Sequence, residues 1–115
     1  VLFALKNSKK FSGKIICANM KSCKLIDIIK VWIENYGGSY KIIKGRKGDR
    51  LDEYLIGQNE LKNTFKILKN KKLYFLINYE KTSKKPLKKI ISSETASKLN
   101  KKEILKLIQI GHNNL

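Results

Sequence analysis

Apolar residues along this chain fall into short groups of differing period, and each period predicts an element. Residues 1–7 (VLFALKN) carry Leu2, Phe3 and Leu5 in the manner of a helix end, and residues 7–13 are polar and turn-like. Residues 14–18 (KIICA) are a β-branched run suited to a buried strand. Ser22 can cap a following helix, with Asp27 favourable in its early turns. Leu25, Ile28, Ile29, Trp32 and Ile33 then recur at helical spacing and define one apolar face. Tyr36-Gly37-Gly38 closes that helix, because glycine readily takes the left-handed stop conformation. Residues 39–44 (SYKIIK) read as a second strand, and residues 51–56 as a short apolar stretch of undecided type. Residues 64–68 and 73–78 flank Lys69-Asn70-Lys71-Lys72 and predict a hairpin. Residues 79–89 are a polar loop with the single proline, Pro86. Asn100, with Glu103 three residues on, marks the start of a last helix whose buried stripe is Ile104, Leu107 and Ile108.

Strand, helix and strand joined by short links predict a βαβ unit, parallel and right-handed. The expected fold class is therefore α/β: one small domain over residues 1–115 with a βαβ unit, a β-hairpin and a C-terminal helix. The second strand would deliver the chain into Gly45-Arg46-Lys47-Gly48-Asp49-Arg50, just beyond a strand's carboxyl end, where open α/β sheets usually hold ligands.

Composition adjusts this picture in three places. The chain is 42% hydrophobic and 30% charged, as expected of a soluble globular domain, and its apolar runs are too short to span a bilayer. No secretory signal is read at its start, so the expected location is cytoplasmic. Val1 lies inside an amphipathic stretch, which suggests a portion of a longer protein. The formal net charge is +17, but 24 of the 26 basic residues are Lys, beside 16 Ile and 10 Asn. All three residue types have A/T-rich codons, so coding bias explains the charge as solvated Lys faces. A nucleic-acid surface more often uses the planar Arg fork, and the aromatics, such as Trp32 and Phe75, read as core. Cys17 and Cys23 have no matching His, His112 being the only one, so no metal is expected and the thiols should stay reduced.

The 45–50 loop carries the candidate chemistry. Arg46 can bind a phosphate bidentately, Asp49 can accept from sugar hydroxyls, and Gly45 and Gly48 permit a tight turn. Alone, these residues fit a surface turn with an incidental Arg–Asp pair better than a binding loop.

The wider segment, GRKGDRLDEYLIG at residues 45–57, resembles the RPGEKLxEELL motif of the CapD-like polysaccharide biosynthesis family. These are extended short-chain dehydrogenase/reductases that include UDP-N-acetylglucosamine 4,6-dehydratases and related epimerases. Arg46, Gly48, Asp49, Arg50, Leu51, Glu53 and Leu55 carry the match. Residues 1–7 are similar to the family's VLYALEN. Residues 13–27 (GKIICANMKSCKLID) are similar to GEIFVPKMPSMKITD, with Gly13, Ile15, Met20, Ser22, Lys24 and Asp27 in register. Residues 92–108 (SSETASKLNKKEILKLI) are similar to YSSDTNxxLSVEELLxLI, and residues 63–68 and 73–77 fall where the family has a hairpin. The likeness runs in order over nearly the whole chain except residues 79–89.

The resemblance implies the C-terminal, substrate-binding subdomain of an extended short-chain dehydrogenase/reductase. It implies a nucleotide-sugar dehydratase or epimerase, a lyase acting in polysaccharide biosynthesis as a homo-oligomer. Arg46 would clamp the diphosphate of a UDP-sugar, Asp49 would hold a ribose hydroxyl, and Asn19 and Met20 would lie near the nucleotide. Lys47 replaces the family's proline, Asp49 its longer Glu, and Asn19 a frequent Lys. The cofactor, NADP or NAD, would be bound by an N-terminal Rossmann domain absent from this chain, since no glycine-rich fingerprint occurs here. Tyr40 and Lys44 have Tyr-x-x-x-Lys spacing, but in a strand they lie roughly 13 Å apart and carry no catalysis. No catalytic residue is assigned. The alternatives are a small Lys-rich module binding nucleic acid or another polyanion, and a truncated inactive copy.

Overall fold

The computed structural model describes residues 1–114. Two short helices, α1 (Leu2–Lys6) and α2 (Ser8–Phe11), open the chain. The second takes the place of the expected turn because Phe11 points inward, where it is buried. Its ring packs on Phe3 at 5.5 Å between centroids, and Phe3 stacks on Tyr74 at 4.3 Å. That aromatic chain fastens α1 and α2 to the sheet behind them.

The sheet has the order β1-β4-β3, with β1 (Ile15–Ala18), β3 (Thr64–Lys69) and β4 (Lys72–Ile77). The expected hairpin is β3–β4, with Thr64 opposite Ile77 and Lys69 opposite Lys72. Asn70 and Lys71 turn it at φ 51° and 62°, both positive as a two-residue hairpin loop requires. The undecided stretch before it contains β2 (Tyr54–Ile56), which pairs antiparallel with β5 (Ile91–Ser92). A 3-10 turn (Gln58–Asn63) links β2 to β3, and Glu60 braces its start by accepting from the Gly57 N–H at 2.8 Å. Ile56, Leu61, Phe75 and Ile77 bury one another where these pieces meet.

Helices α3 (Leu25–Tyr36) and α4 (Lys101–Asn113) pack together through buried Val31 and Ile104, with a Lys101–Glu34 ion pair at the rim. The Asn100 side chain accepts from the Glu103 N–H at 2.9 Å, and Glu103 accepts from the Asn100 N–H at 3.2 Å. This is the reciprocal cap that the sequence predicts.

Several expectations are corrected. Among the described residues there is no parallel βαβ unit: residues 39–44 form no strand, and both sheets are antiparallel. A crossover helix must return the chain to its sheet, whereas α3 packs chiefly on α4 and exits through Gly37 and Gly38 at φ 79° and 106°. Tyr40, Ile42 and Ile43 are left 46%, 81% and 79% exposed. Ser22 does not cap α3; Lys24 occupies that position without a side-chain bond. Leu107 lies outside the buried stripe of α4, and Trp32 is exposed, its ring against Tyr36 and His112 instead of in the core.

What remains is a small mixed helix–strand domain of open shape. Its radius of gyration is 17.5 Å, where a compact chain of this length has about 13 Å. Its accessible surface is 9993 Å², where a compact monomer of this size exposes about 6,500 Å².

Candidate functional site

Three segments distant in sequence enclose a groove of about 250 Å³. Met20, Lys21 and Ser22 come from the link between β1 and α3. Glu53, Tyr54 and Leu55 come from β2 and the residue before it. Ile91, Ser92, Ser93 and Ala96 come from β5 and the turn after it. Apart from Ile91, these residues lie within the stretches 13–27, 45–57 and 92–108.

Ser93 joins them. Its hydroxyl donates to Asp52 Oδ1 at 2.7 Å and accepts from the Glu53 N–H at 3.0 Å. Its own N–H donates to the Glu53 carbonyl at 2.8 Å. Its carbonyl accepts from the Ser22 hydroxyl at 2.6 Å. Ser22 is locked on both sides, its N–H donating to Ser97 O at 2.9 Å and its carbonyl accepting from Leu99 N at 2.8 Å. The Lys98 ammonium donates to Ser22 Oγ at 2.9 Å, to the Ser93 carbonyl, and to Glu94 O at 3.2 Å. All three of its protons are thus engaged. Below them Ser92 is 2% exposed and exchanges hydrogen bonds with Thr95.

Lys21 carries charge to the rim and donates to Glu103 Oε2 at 2.7 Å. That bond, aided by the Asn100 N–H, holds the Glu103 carboxyl below the usual carboxylate range. Elsewhere, burial and then the nearby Glu60 charge push the Cys17 thiol up. The Tyr79 phenol is raised because it donates to Glu60 Oε1 at 2.7 Å.

Of the residues singled out from the sequence, Met20 lines this groove and is 60% exposed. Asn19 is exposed, and its backbone N–H donates to Leu73 O at 2.9 Å, continuing the β1–β4 ladder. Arg46 and Asp49 lie on the exposed 45–50 turn and do not line the groove. Asp49 Oδ2 accepts from the Arg46 backbone N–H at 2.9 Å, and the Asp49 N–H donates to Arg46 O at 3.2 Å. The Asp49 carboxylate therefore braces its own turn, while Gly48 at φ 91° supplies the left-handed step. The guanidinium of Arg46 makes no ion pair among the described residues. Sequence reading missed Ser93, Asp52 and Lys98, whose partners lie up to 76 residues away.

Among the described residues no group of three or more His, Cys, Asp or Glu could hold a metal ion. No helix among them is long and apolar enough to cross a membrane. In comparison with known proteins, no family model, no curated protein and no solved structure matches the chain.

Proposed function

We propose that this chain is the UDP-sugar-binding portion of an NAD(P)-dependent nucleotide-sugar 4,6-dehydratase or epimerase of the CapD-like type. The observation that supports the reading is convergence. Three stretches that resemble that family line one groove, from Met20 to Ala96, and are tied by the Ser22–Ser93–Glu53 hydrogen bonds. The β2–β5 pairing and the Ser22–Lys98 bridge bring these stretches together, and the groove forms where they meet.

In this reading the groove and the 45–50 turn that precedes β2 in the chain divide the substrate. Arg46, with its guanidinium unpaired, takes the diphosphate as a two-pronged donor. Asp49 serves the ribose by giving up or sharing its bond to the Arg46 N–H. Met20 and Tyr54 offer apolar surface beside the groove. The contribution to rate is positional, holding the sugar in one orientation. The described residues do not fit a dinucleotide: their sheets are antiparallel and lack the glycine-rich strand–turn–helix that receives a pyrophosphate. No residue of this chain is therefore assigned to NAD(P), and no step is derived through it.

Titrating UDP-N-acetylglucosamine into the chain, followed by amide chemical shifts, tests this. Shifts concentrated at residues 20–22, 46–55 and 91–96 are expected. Arg46→Ala should weaken binding by about ten-fold or more, the worth of a charge-assisted contact. Saturable binding at none of these segments would sink the proposal.

A further inference from the structure

Residues 79–89 lie outside every stretch that the family resemblance covers, and their role is open. They are not a loose loop. Buried Asn63 reaches into them, its Nδ2 donating to Lys81 O at 2.8 Å and Tyr79 O at 3.4 Å. Buried Ser83 donates its N–H to Lys62 O at 2.8 Å and accepts from the Lys85 N–H at 3.2 Å. The Leu87 N–H donates to Leu61 O at 3.3 Å, and its side chain packs on the core. The segment is clamped along the 3-10 turn that leads into β3, and with that strand lines a groove of about 810 Å³.

Five lysines line this groove, Lys66, Lys81, Lys84, Lys85 and Lys88, and no acidic residue does. The ion pairs among the described residues are Lys21–Glu103 and Lys101–Glu34, so none of the five is paired. Charges within about 8 Å of one another are poorly screened at physiological salt. Five lysines without an acidic neighbour along one groove therefore favour a bound polyanion. Lysine on an edge strand also deters strand addition, which accounts for Lys66 but not for four lysines on the clamped segment. The field continues to the hairpin tip, where Lys69 faces Lys72 in register with Lys71 between them. Like charges directly opposed are otherwise unfavourable.

We propose that the groove between β3 and residues 79–89 binds a linear chain of phosphates. Lysines act as point charges, suited to tracking successive phosphates without reading a base edge. Phe65 on the same wall offers an aromatic surface of the sort on which a base of single-stranded nucleic acid stacks. The two sources of this chemistry are single-stranded nucleic acid and inorganic polyphosphate. The inference is independent of the UDP-sugar reading, because its residues and its probe differ.

The test is binding of the chain to a fluorescent oligodeoxythymidylate and to inorganic polyphosphate, from about 50 to about 200 mM salt. The variant Lys81→Gln, Lys84→Gln, Lys85→Gln, Lys88→Gln should bind about ten-fold or more weakly. Its salt slope should fall by about 3, since each of four contacts contributes about 0.7. Circular dichroism should be unchanged, because Asn63 and Ser83 still clamp the backbone. A control with Lys9, Lys10, Lys102 and Lys106 changed to Gln should keep the parent slope. Oligonucleotide binding that polyphosphate competes away supports a phosphate-chain site for either source. Oligonucleotide binding weakened further by Phe65→Leu identifies nucleic acid, and polyphosphate binding alone identifies the simple polymer. Equal losses in the groove and control variants overturn the proposal, as does binding to anionic vesicles but to neither probe.

Discussion

Ser93 shows how much one side chain organises here. Its hydroxyl both donates, to Asp52, and accepts, from Glu53, and its carbonyl takes the Ser22 hydroxyl and the Lys98 ammonium. Ser93→Ala removes two of these bonds, one of them to half-buried Asp52. It should lower stability by about 1–3 kcal/mol in urea unfolding, and a loss indistinguishable from zero would mean the groove is held by packing instead. Arg46→Ala should behave oppositely, leaving stability within about 0.5 kcal/mol as exposed substitutions do. The Glu103 carboxyl is held low by Lys21, so its contribution to stability is complete above the ordinary carboxylate pKa. That contribution is lost as pH falls through the lowered value. Lys21→Met should therefore flatten the acid limb of a stability–pH profile, and an unchanged limb would show the pair to be idle. At this scale the sequence was legible where chemistry is local. Arg46 and Asp49 stand out because each follows a glycine, and the turn they form is local. Ser93 could not be recognised, because nothing within several residues of it reveals partners at 22 and 52.

At the scale of elements, the cap of α4 and the hairpin followed from local signals, whereas the Ser22 cap and the 39–44 strand did not form. The Asn100–Glu103 cap predicted α4, and Asn100→Ala should destabilise the protein by about 1 kcal/mol, read as a drop in denaturation midpoint. The hairpin was visible from two apolar runs across a four-residue polar gap, and its turn residues have positive φ. Lys71 sits there at a conformational cost that glycine avoids, so Lys71→Gly should stabilise by up to about 1 kcal/mol. A destabilised variant would show the lysine side chain to be supporting the turn. Residues 39–44 misled because β-branched and aromatic content measures fitness for a pleated, half-buried surface, not the presence of one. With α3 turned toward α4, no neighbouring strand meets them.

The whole molecule departs furthest from its composition. With 42% hydrophobic residues it could enclose a substantial core. Instead the buried apolar set is small, and Leu25, Ile42, Ile43, Leu51 and Ile110 are each at least half exposed. The surface exceeds that of a compact monomer by about half, an excess larger than the patches single soluble domains usually present. The chain by itself should therefore bind a hydrophobic dye while folded and associate as its concentration rises. Sedimentation as a monomer at every concentration, with no dye signal, would contradict this.

Taken alone, the sequence determined the capped last helix, the hairpin, the helix from Leu25 to Tyr36, the glycine-bracketed turn and the overall charge. Each depends on residues within about one turn or one strand of each other, where sterics and hydrogen bonding act directly. The tertiary structure alone decided that β1 joins β4, that α3 leaves the sheet for α4, that Ser22 bonds Ser93 instead of capping, and that residues 79–89 become the wall of a lysine-lined groove. Those outcomes depend on which distant surfaces bury one another, and competing burials differ by small free energies that no local pattern records.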